Sequence, residues 1–256
     1  MENDVEAQHP IKATKITFEV LQGLKELNGA GVTELADHID RSKSSVHNYL
    51  STLREQEFVV KEGTTYDVGL RFLDLGTYAR KKNELYAIAK PELDELVDQT
   101  GELVNLLVEE HGRGVYLYRG KGPKAVEVDA YTGHRVSLHN TALGKAILAE
   151  MEDEAVQSII DRHGLPATSE NTITDEEELF EELEQVREDG VAFDREERLP
   201  GLRCVACAVT DSRGTIAGAV SVSGPTSRMK GERYSDKIPE LLADTANVLS
   251  LNLTYA

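Results

Sequence analysis

The stretch that decides the fold is residues 33–68, TELADHIDRSKSSVHNYLSTLREQEFVVKEGTTYDV. Thr33 to His38 predicts a short helix that Thr33 caps, and the next two residues predict a turn. A second helix is predicted to begin after Ser42, whose side chain supplies an N-cap oxygen. Its buried side is expected to hold three residues at helical spacing, which are Val46, Leu50 and Leu53.

A two-stranded ribbon is predicted directly after the second helix. Residues 58–60 form a β-rich run, residues 61–65 a glycine-containing turn and residues 66–68 a return strand. A further helix is predicted before the motif, from about Thr14 to Leu27. Ser- and Asn-rich helices also occur as ordinary solvated surfaces, but the ribbon favours a winged helix-turn-helix and therefore DNA binding.

Exposed polar side chains of this region are the expected DNA contacts. Short donors and acceptors on the second helix suit phosphates and the base edges of the major groove. The predicted DNA-binding residues are Thr33, Arg41, Ser42, Lys43, Ser44, Ser45, His47, Asn48, Thr52 and Lys61.

Composition limits the class of protein. A chain of 256 residues with 40% hydrophobic content can form two domains, each with a core. It has no run of eighteen apolar residues and no signal-like N-terminus, so we expect a cytoplasmic protein without a membrane partner. Two cysteines argue against a disulfide-stapled secreted fold.

The formal net charge of -18 has the wrong sign for a nucleic-acid-binding protein in general. Residues 1–82 contain 11 Lys and Arg against 13 Asp and Glu, whereas residues 83–256 contain 17 against 33. The acid therefore lies mainly outside the predicted DNA-binding part. Acidic surface spread so evenly is typical of a high-salt cytoplasm, such as that of haloarchaea, where salt screens self-repulsion.

A second domain is predicted after a linker helix at residues 70–84, which contains the basic run 80–82. Strands and helices alternate in it, and its first helix should restart or kink at Pro91. Strands are predicted at residues 103–110, 115–119, 125–131, 191–194, 203–210 and 215–223, and helices at 86–99, 141–150, 153–163, 175–188 (capped by Thr174) and 235–252. Hairpins on both sides of a helical middle predict an α+β domain with a mainly antiparallel sheet.

Two groups of residues in this domain are candidates for chemistry. Cys204 and Cys207 have CxxC spacing, which allows a redox pair or half of a metal site. Residues three apart in a strand point to opposite faces, so we favour burial of both thiols and expect neither a metal nor a cofactor. Ser221 and Ser223 share a strand face and predict one pocket with the helix after Thr141, whose free amides attract an anion. Serines on a solvent face are the alternative.

Several spaced segments together resemble a known family. Besides the winged helix, they are YDVGLR at 66–71, LHNTALGKA at 138–146, DREERLPGLRCVA at 194–206 and SVSGP at 221–225. In this order, residues 11–253 resemble an IclR-type transcriptional regulator. The resemblance implies a winged helix-turn-helix at residues 11–69, a linker helix at 70–84 and an effector-binding domain at 85–256, similar to GAF and profilin-like sensor folds. It also implies a homo-oligomer, either a dimer or a dimer of dimers.

The resemblance further implies a pocket for a small metabolite. Backbone amides after Thr141 and the two serine hydroxyls would hold a carboxylate, and Asp194 would accept from ligand hydroxyls. The implied effector-binding residues are Ala142, Leu143, Asp194, Leu202, Cys204, Ser221 and Ser223. The expected function is that of a DNA-binding transcriptional regulator whose operator affinity is controlled by a carboxylate or sugar-derived acid.

Two other classes of function stay open at this level. A GAF-like pocket with Cys204 and Asp194 could hold a nucleophile, but no histidine is spaced to activate it, so an enzyme is not expected. A sensor that binds a protein partner and not DNA would suit the acidic surface.

Overall fold

The computed structural model describes residue 7 and residues 9–255. They divide into two compact units, of which the first ends at Ala79 and the second begins at Arg80. The first unit has one hydrophobic core and the second has two. Within the described part of the chain, no helix is both long and apolar enough to cross a membrane.

The first unit contains three helices and a ribbon: α1 Lys12–Glu26, α2 Val32–His38, α3 Lys43–Glu55, β1 Val59–Glu62 and β2 Thr65–Val68. Strands β1 and β2 are antiparallel, and a bridge between Ala30 and Tyr66 ties the ribbon to the segment before α2. Val46, Leu50 and Leu53 are buried, as their helical spacing predicts. The predicted winged helix-turn-helix is confirmed.

Helix caps in this unit follow the prediction in one case and not in the other. The Ser42 side chain accepts a hydrogen bond from the Ser45 amide at 3.2 Å, so its predicted cap is confirmed. The predicted Thr33 cap is wrong. Helix α2 begins one residue earlier, after Gly31 in an extended conformation, and no side chain caps it. Thr33 therefore lies within the first turn.

Helix α4, Arg71–Lys81, contains the division between the units. The second unit comprises α5 Glu84–Thr100, β3 Leu103–Glu110, β4 Arg113–Lys121, β5 Arg135–Val136, α6 Ala142–Ala149, α7 Asp153–His163, α8 Glu176–Asp189, β6 Ala192–Arg195, β7 Leu202–Thr210, β8 Ile216–Pro225, a π-helical turn Arg233–Lys237 and α9 Ile238–Thr254. The strands β3 to β8 form one antiparallel sheet in the order β5-β4-β3-β8-β7-β6. The predicted α+β domain is confirmed.

Helices cover both faces of this sheet. One core lies between the sheet and α5 and α9, and the other between the sheet and α6, α7 and α8. Alternation along β7 sends Cys204 into the second of these cores and Cys207 into the first, so the two thiols point to opposite faces as predicted. The same alternation along β8 turns Ser221 and Ser223 toward α6.

Two local predictions in the second unit are wrong, and one is wrong in part. Helix α5 does not restart at Pro91 but continues through it, because an apolar side that includes Leu93 is buried against the sheet and outweighs the lost backbone hydrogen bond; a kink there stays a prediction. Residues 125–131 form no strand, and the strand that pairs with β4 is instead β5, at Gly114 and Val115. Helix α8 is capped by Asp175, whose carboxylate accepts from the Glu178 amide at 3.1 Å, and not by Thr174.

Candidate effector site and nucleic-acid interface

Polar side chains of the first unit lie on the surface of α3 that faces away from its buried stripe. All of the predicted DNA-binding residues are exposed except Ser45, which is half-buried. Lys43, Ser44, His47 and Asn48 lie together in the first two turns of α3. Thr33 and Lys61 lie apart from them, on α2 and β1.

Some of these side chains already have partners within the protein. Arg41 donates to Glu19 of α1 from Nε at 3.2 Å and from its terminal nitrogen at 2.8 Å. The Thr52 hydroxyl donates to the Asn48 carbonyl oxygen at 3.0 Å. The Lys61 ammonium lies 4.9 Å from the centre of the Tyr66 ring. The Ser44 hydroxyl lies 3.2 Å from that of Ser42. Their exposure and their position at the start of α3 make Lys43, Ser44, His47 and Asn48 the best placed to reach a groove of DNA.

An apolar groove of about 620 Å³ lies beside this surface, between α1, α3 and α4. Phe18, Phe72 and Leu75 line it, together with Asn48 and Thr52. Phe18 and Leu73 are each 64% exposed, and no residue of α4 is buried. Contiguous apolar surface of this kind marks an interaction site in a folded protein.

A small cavity lies in the second unit, between the sheet and the start of α6. All of the predicted effector-binding residues line it: Ala142, Leu143, Asp194, Leu202, Cys204, Ser221 and Ser223. The structure thus brings together residues from one helix and three strands. The volume of the cavity is about 20 Å³, which is room for about one water molecule, so a metabolite needs protein groups to move aside.

Close packing holds the start of α6 against the cavity. The Thr141 hydroxyl oxygen accepts from the Gly144 amide at 3.0 Å. A side chain at Gly144 would overlap the backbone of Leu138, so only glycine lets the preceding loop approach this closely. The first-turn amides of Ala142 and Leu143 have no acceptor within the helix. Both residues line the cavity and can present N–H donors to a ligand.

A chain of hydrogen bonds crosses the sheet wall of the cavity. Arg119 Nε donates to Asn105 Oδ1 at 3.1 Å. Asn105 Nδ2 donates to the hydroxyl oxygens of Ser221 and Ser223 at 3.2 and 3.3 Å. Because a guanidinium has only donors, it fixes the orientation of the Asn105 amide. Each serine accepts from Asn105. The Ser221 hydroxyl can donate its own hydrogen to a ligand, whereas the Ser223 hydroxyl is also hydrogen-bonded to the Cys204 thiol, which a ligand carboxylate would have to replace.

Asp194 supplies the acid of the cavity. Burial raises the pKa of its carboxyl to about 6, and the neighbouring Glu197 carboxylate acts in the same direction. Burial also raises the pKa of the Cys204 thiol well above its ordinary value, again helped by a negative neighbour, Asp194. A thiol that stays protonated is a poor nucleophile, so the cavity suits binding better than covalent catalysis.

An ion-pair network lies directly behind Asp194. Lys145 is fully buried, and its ammonium lies 2.7 Å from both Glu182 of α8 and Glu197. The Glu197 amide donates to Asp194 Oδ1 at 2.8 Å. The network therefore ties α6 and α8 to the loop after β6 and positions the carboxyl group of the cavity.

Two known domain families match most of the chain. The IclR helix-turn-helix domain matches residues 13–63, and the domain described as bacterial transcriptional regulator IclR C-terminal matches residues 77–251. The chain belongs to the IclR family. Its members are DNA-binding transcriptional regulators with a C-terminal effector-binding domain, as the resemblance implies.

Individual IclR relatives match along most of their length. The chain is 31% identical to the probable HTH-type transcriptional regulator ArcR of Halobacterium salinarum, covering 93% of this chain and 92% of that protein. It is 32% identical to KdgR of Escherichia coli, with coverages of 93% and 91%. The crystal structure of Thermotoga maritima IclR superposes with a TM-score of 0.78 at 29% identity, covering 94% of this chain and 98% of that one.

Sequence reasoning missed several polar residues that line this cavity: Asn105, Tyr116, Arg119 and Arg198. Arg198 donates to the Tyr116 hydroxyl at 2.9 Å, and Arg119 and Arg198 lie 5.6 and 5.8 Å from the centre of the Tyr116 ring. A lone asparagine within the apolar run LVNLLV was the one available signal. Nothing local in the sequence indicates that the two arginines face the same cavity.

Proposed function

We propose that this IclR-family regulator binds its operator through the start of α3, and that a small carboxylate or sugar-derived acid in the cavity changes its operator affinity. The observation that carries the proposal is the set of donors around one cavity. The hydroxyls of Ser221 and Ser223 and the amides of Ala142 and Leu143 can all donate to a carboxylate. Asp194 accepts from, or donates to, ligand hydroxyls.

The proposed domain organisation assigns residues 11–69 to DNA, residues 70–84 to a linker helix and residues 85–256 to the effector. Effector binding then works by favouring one arrangement of the DNA-binding domains over another. We place the protein in the cytoplasm, where a regulator meets the chromosome. The protonated state of the Cys204 thiol supports a cavity that binds its ligand without turnover.

Asn48→Ala is expected to weaken specific operator binding by about 1 to 3 kcal/mol, because an asparagine reads adenine through paired hydrogen bonds in the major groove. The fold should be unchanged, since the side chain is exposed. The measurement is fluorescence anisotropy with labelled DNA from the upstream region of the protein's own gene.

Two further variants make this test specific. Ser44→Ala changes the preceding turn of α3 and lies outside the lining of the apolar groove, so it should weaken binding in the same direction. Asn252→Ala removes an exposed asparagine near the end of α9 and should leave binding unchanged. Operator affinities equal to that of the wild type for both α3 variants would contradict the assignment of this face.

We also propose a homo-oligomer, a dimer or a dimer of dimers, that covers the apolar surface of α1 and α4. Leu73→Glu places a charge on that surface, which is destabilising only if the surface is buried in the assembly. Light scattering after gel filtration should then give a mass near 28.2 kDa for Leu73→Glu and a multiple of it for the wild type. Val60→Glu, on the ribbon, is the control and should keep the larger mass. An unchanged mass for Leu73→Glu would place the interface elsewhere.

A further inference from the structure

We propose that the effector carries two anionic groups and that Arg119 and Arg198 bind the second one. The inference rests on the proposed function, in which the first carboxylate meets the two serines and the amides at the start of α6. It adds a class of effector, which is a dicarboxylate or an acid with a second anionic group. It also adds two residues that determine specificity.

The first argument is the charge of the two arginines. Among residues 9–255, neither Arg119 nor Arg198 forms an ion pair with an acidic side chain. Both are half-buried against the same ring, that of Tyr116. Burial lowers the pKa of the Arg119 guanidinium from its ordinary value, and the positive charge of Arg198 acts in the same direction. A ligand anion between them would relieve this cost.

The second argument is distance. Arg119, Asn105 and Ser221 face one another on three adjacent strands, β4, β3 and β8. A single carboxamide separates the Arg119 guanidinium from the serine hydroxyls, with hydrogen bonds of 3.1 Å on one side and 3.2 to 3.3 Å on the other. That span matches the separation of the two carboxylates in a diacid of about four to six carbons.

The third argument is that the arginines have replaceable partners. Arg119 donates to the backbone carbonyl of Ala130, in the irregular segment beside the cavity, and Arg198 donates to the Tyr116 hydroxyl. A carboxylate is a stronger acceptor for a guanidinium than either neutral oxygen. A purely structural role for these contacts predicts no preference between monoacids and diacids.

The test uses matched acids as probes. Calorimetry at constant ionic strength compares succinate, glutarate and adipate with butyrate, pentanoate and hexanoate. The wild type should bind at least one diacid tenfold or more tightly than the monoacid of the same length. Arg119→Gln and Arg198→Gln should lose that preference. Arg213→Gln, on the exposed turn between β7 and β8, should keep it.

Each outcome decides the proposal. Equal binding of monoacids and diacids by the wild type, no binding of any diacid, or a preference that persists in both arginine variants would overturn it. Should Arg119→Gln fail to fold, Arg198→Gln carries the test, because the hydrogen bond of its side chain reaches only Tyr116.

A comparison variant separates this inference from the proposed function. Ser223→Ala should weaken monoacids and diacids alike, because it removes a donor to the first carboxylate. Unchanged affinities for Ser223→Ala, with the diacid preference still lost in the arginine variants, would refute the placement of the first carboxylate and leave the arginine site standing.

Discussion

Lys145→Met is expected to lose about 3 to 5 kcal/mol of the free energy of unfolding, measured by urea denaturation of the full chain. The side chain of Lys145 is fully buried between Glu182 and Glu197, at 2.7 Å from each. Its removal leaves the Glu197 carboxylate buried without a cation. The other oxygen of that carboxylate has no hydrogen-bond partner among the described residues, and the first keeps only the Arg195 amide at 3.2 Å, so no second cation compensates the charge.

Two comparison variants make the Lys145 result interpretable. Lys121→Met breaks an exposed pair with Glu127 at 2.6 Å and should leave the free energy of unfolding almost unchanged, because solvent screens that pair. Adding Glu197→Gln to Lys145→Met removes the buried charge and should recover part of the loss. A loss as small for Lys145→Met as for Lys121→Met would show that the network contributes little to stability.

Asp194→Asn is expected to do the reverse and stabilise the protein by about 2 to 3 kcal/mol above pH 7. The pKa of Asp194 is raised from 3.8 to about 6 in the fold, so its ionisation there opposes folding. For such a group, the stability present at low pH is lost as the pH rises through the folded pKa and stays lost above it. Asparagine cannot ionise and keeps the oxygen that accepts from the Glu197 amide.

The pH profile distinguishes this cause from any general gain in packing. Thermal unfolding at pH 4, 5, 6 and 7.5 should give curves for wild type and Asp194→Asn that nearly meet at pH 4 and diverge as the pH rises. Parallel curves would contradict the pKa argument. A residue that lowers the free energy of unfolding and lies at the wall of a cavity is typical of residues kept for function at the expense of stability.

Local patterns were sufficient to predict the DNA-binding unit. The stripe of Val46, Leu50 and Leu53 and the Ser42 cap depend only on residues near in sequence, and both are confirmed. The Thr33 cap was wrong because α2 begins at Val32, directly after the segment that the bridge between Ala30 and Tyr66 ties to the ribbon. Helix boundaries of this kind depend on contacts that no local window contains.

Residues of the cavity in the second unit could be predicted only where they belong to a recognisable sequence motif. The segments around Ala142, Asp194 and Ser221 are recognisable in sequence, and all of the residues predicted from them line the cavity. Asn105 joins them through the register between β3 and β8, which pairs it with Ser221 more than a hundred positions away, and the β3–β4 hairpin then places Arg119 beside Asn105.

The small volume of the cavity has a consequence for the speed of the regulator. About 20 Å³ has no room for an organic acid, so an acid can enter only when groups around the cavity move apart. Binding then follows a spontaneous opening of the protein, and the frequency of that opening limits the rate of uptake at high effector concentration. In the proposed function, the rate of the response to a change in effector concentration is therefore set by a motion of the protein. The affinity for the effector is set by the charged groups of the cavity.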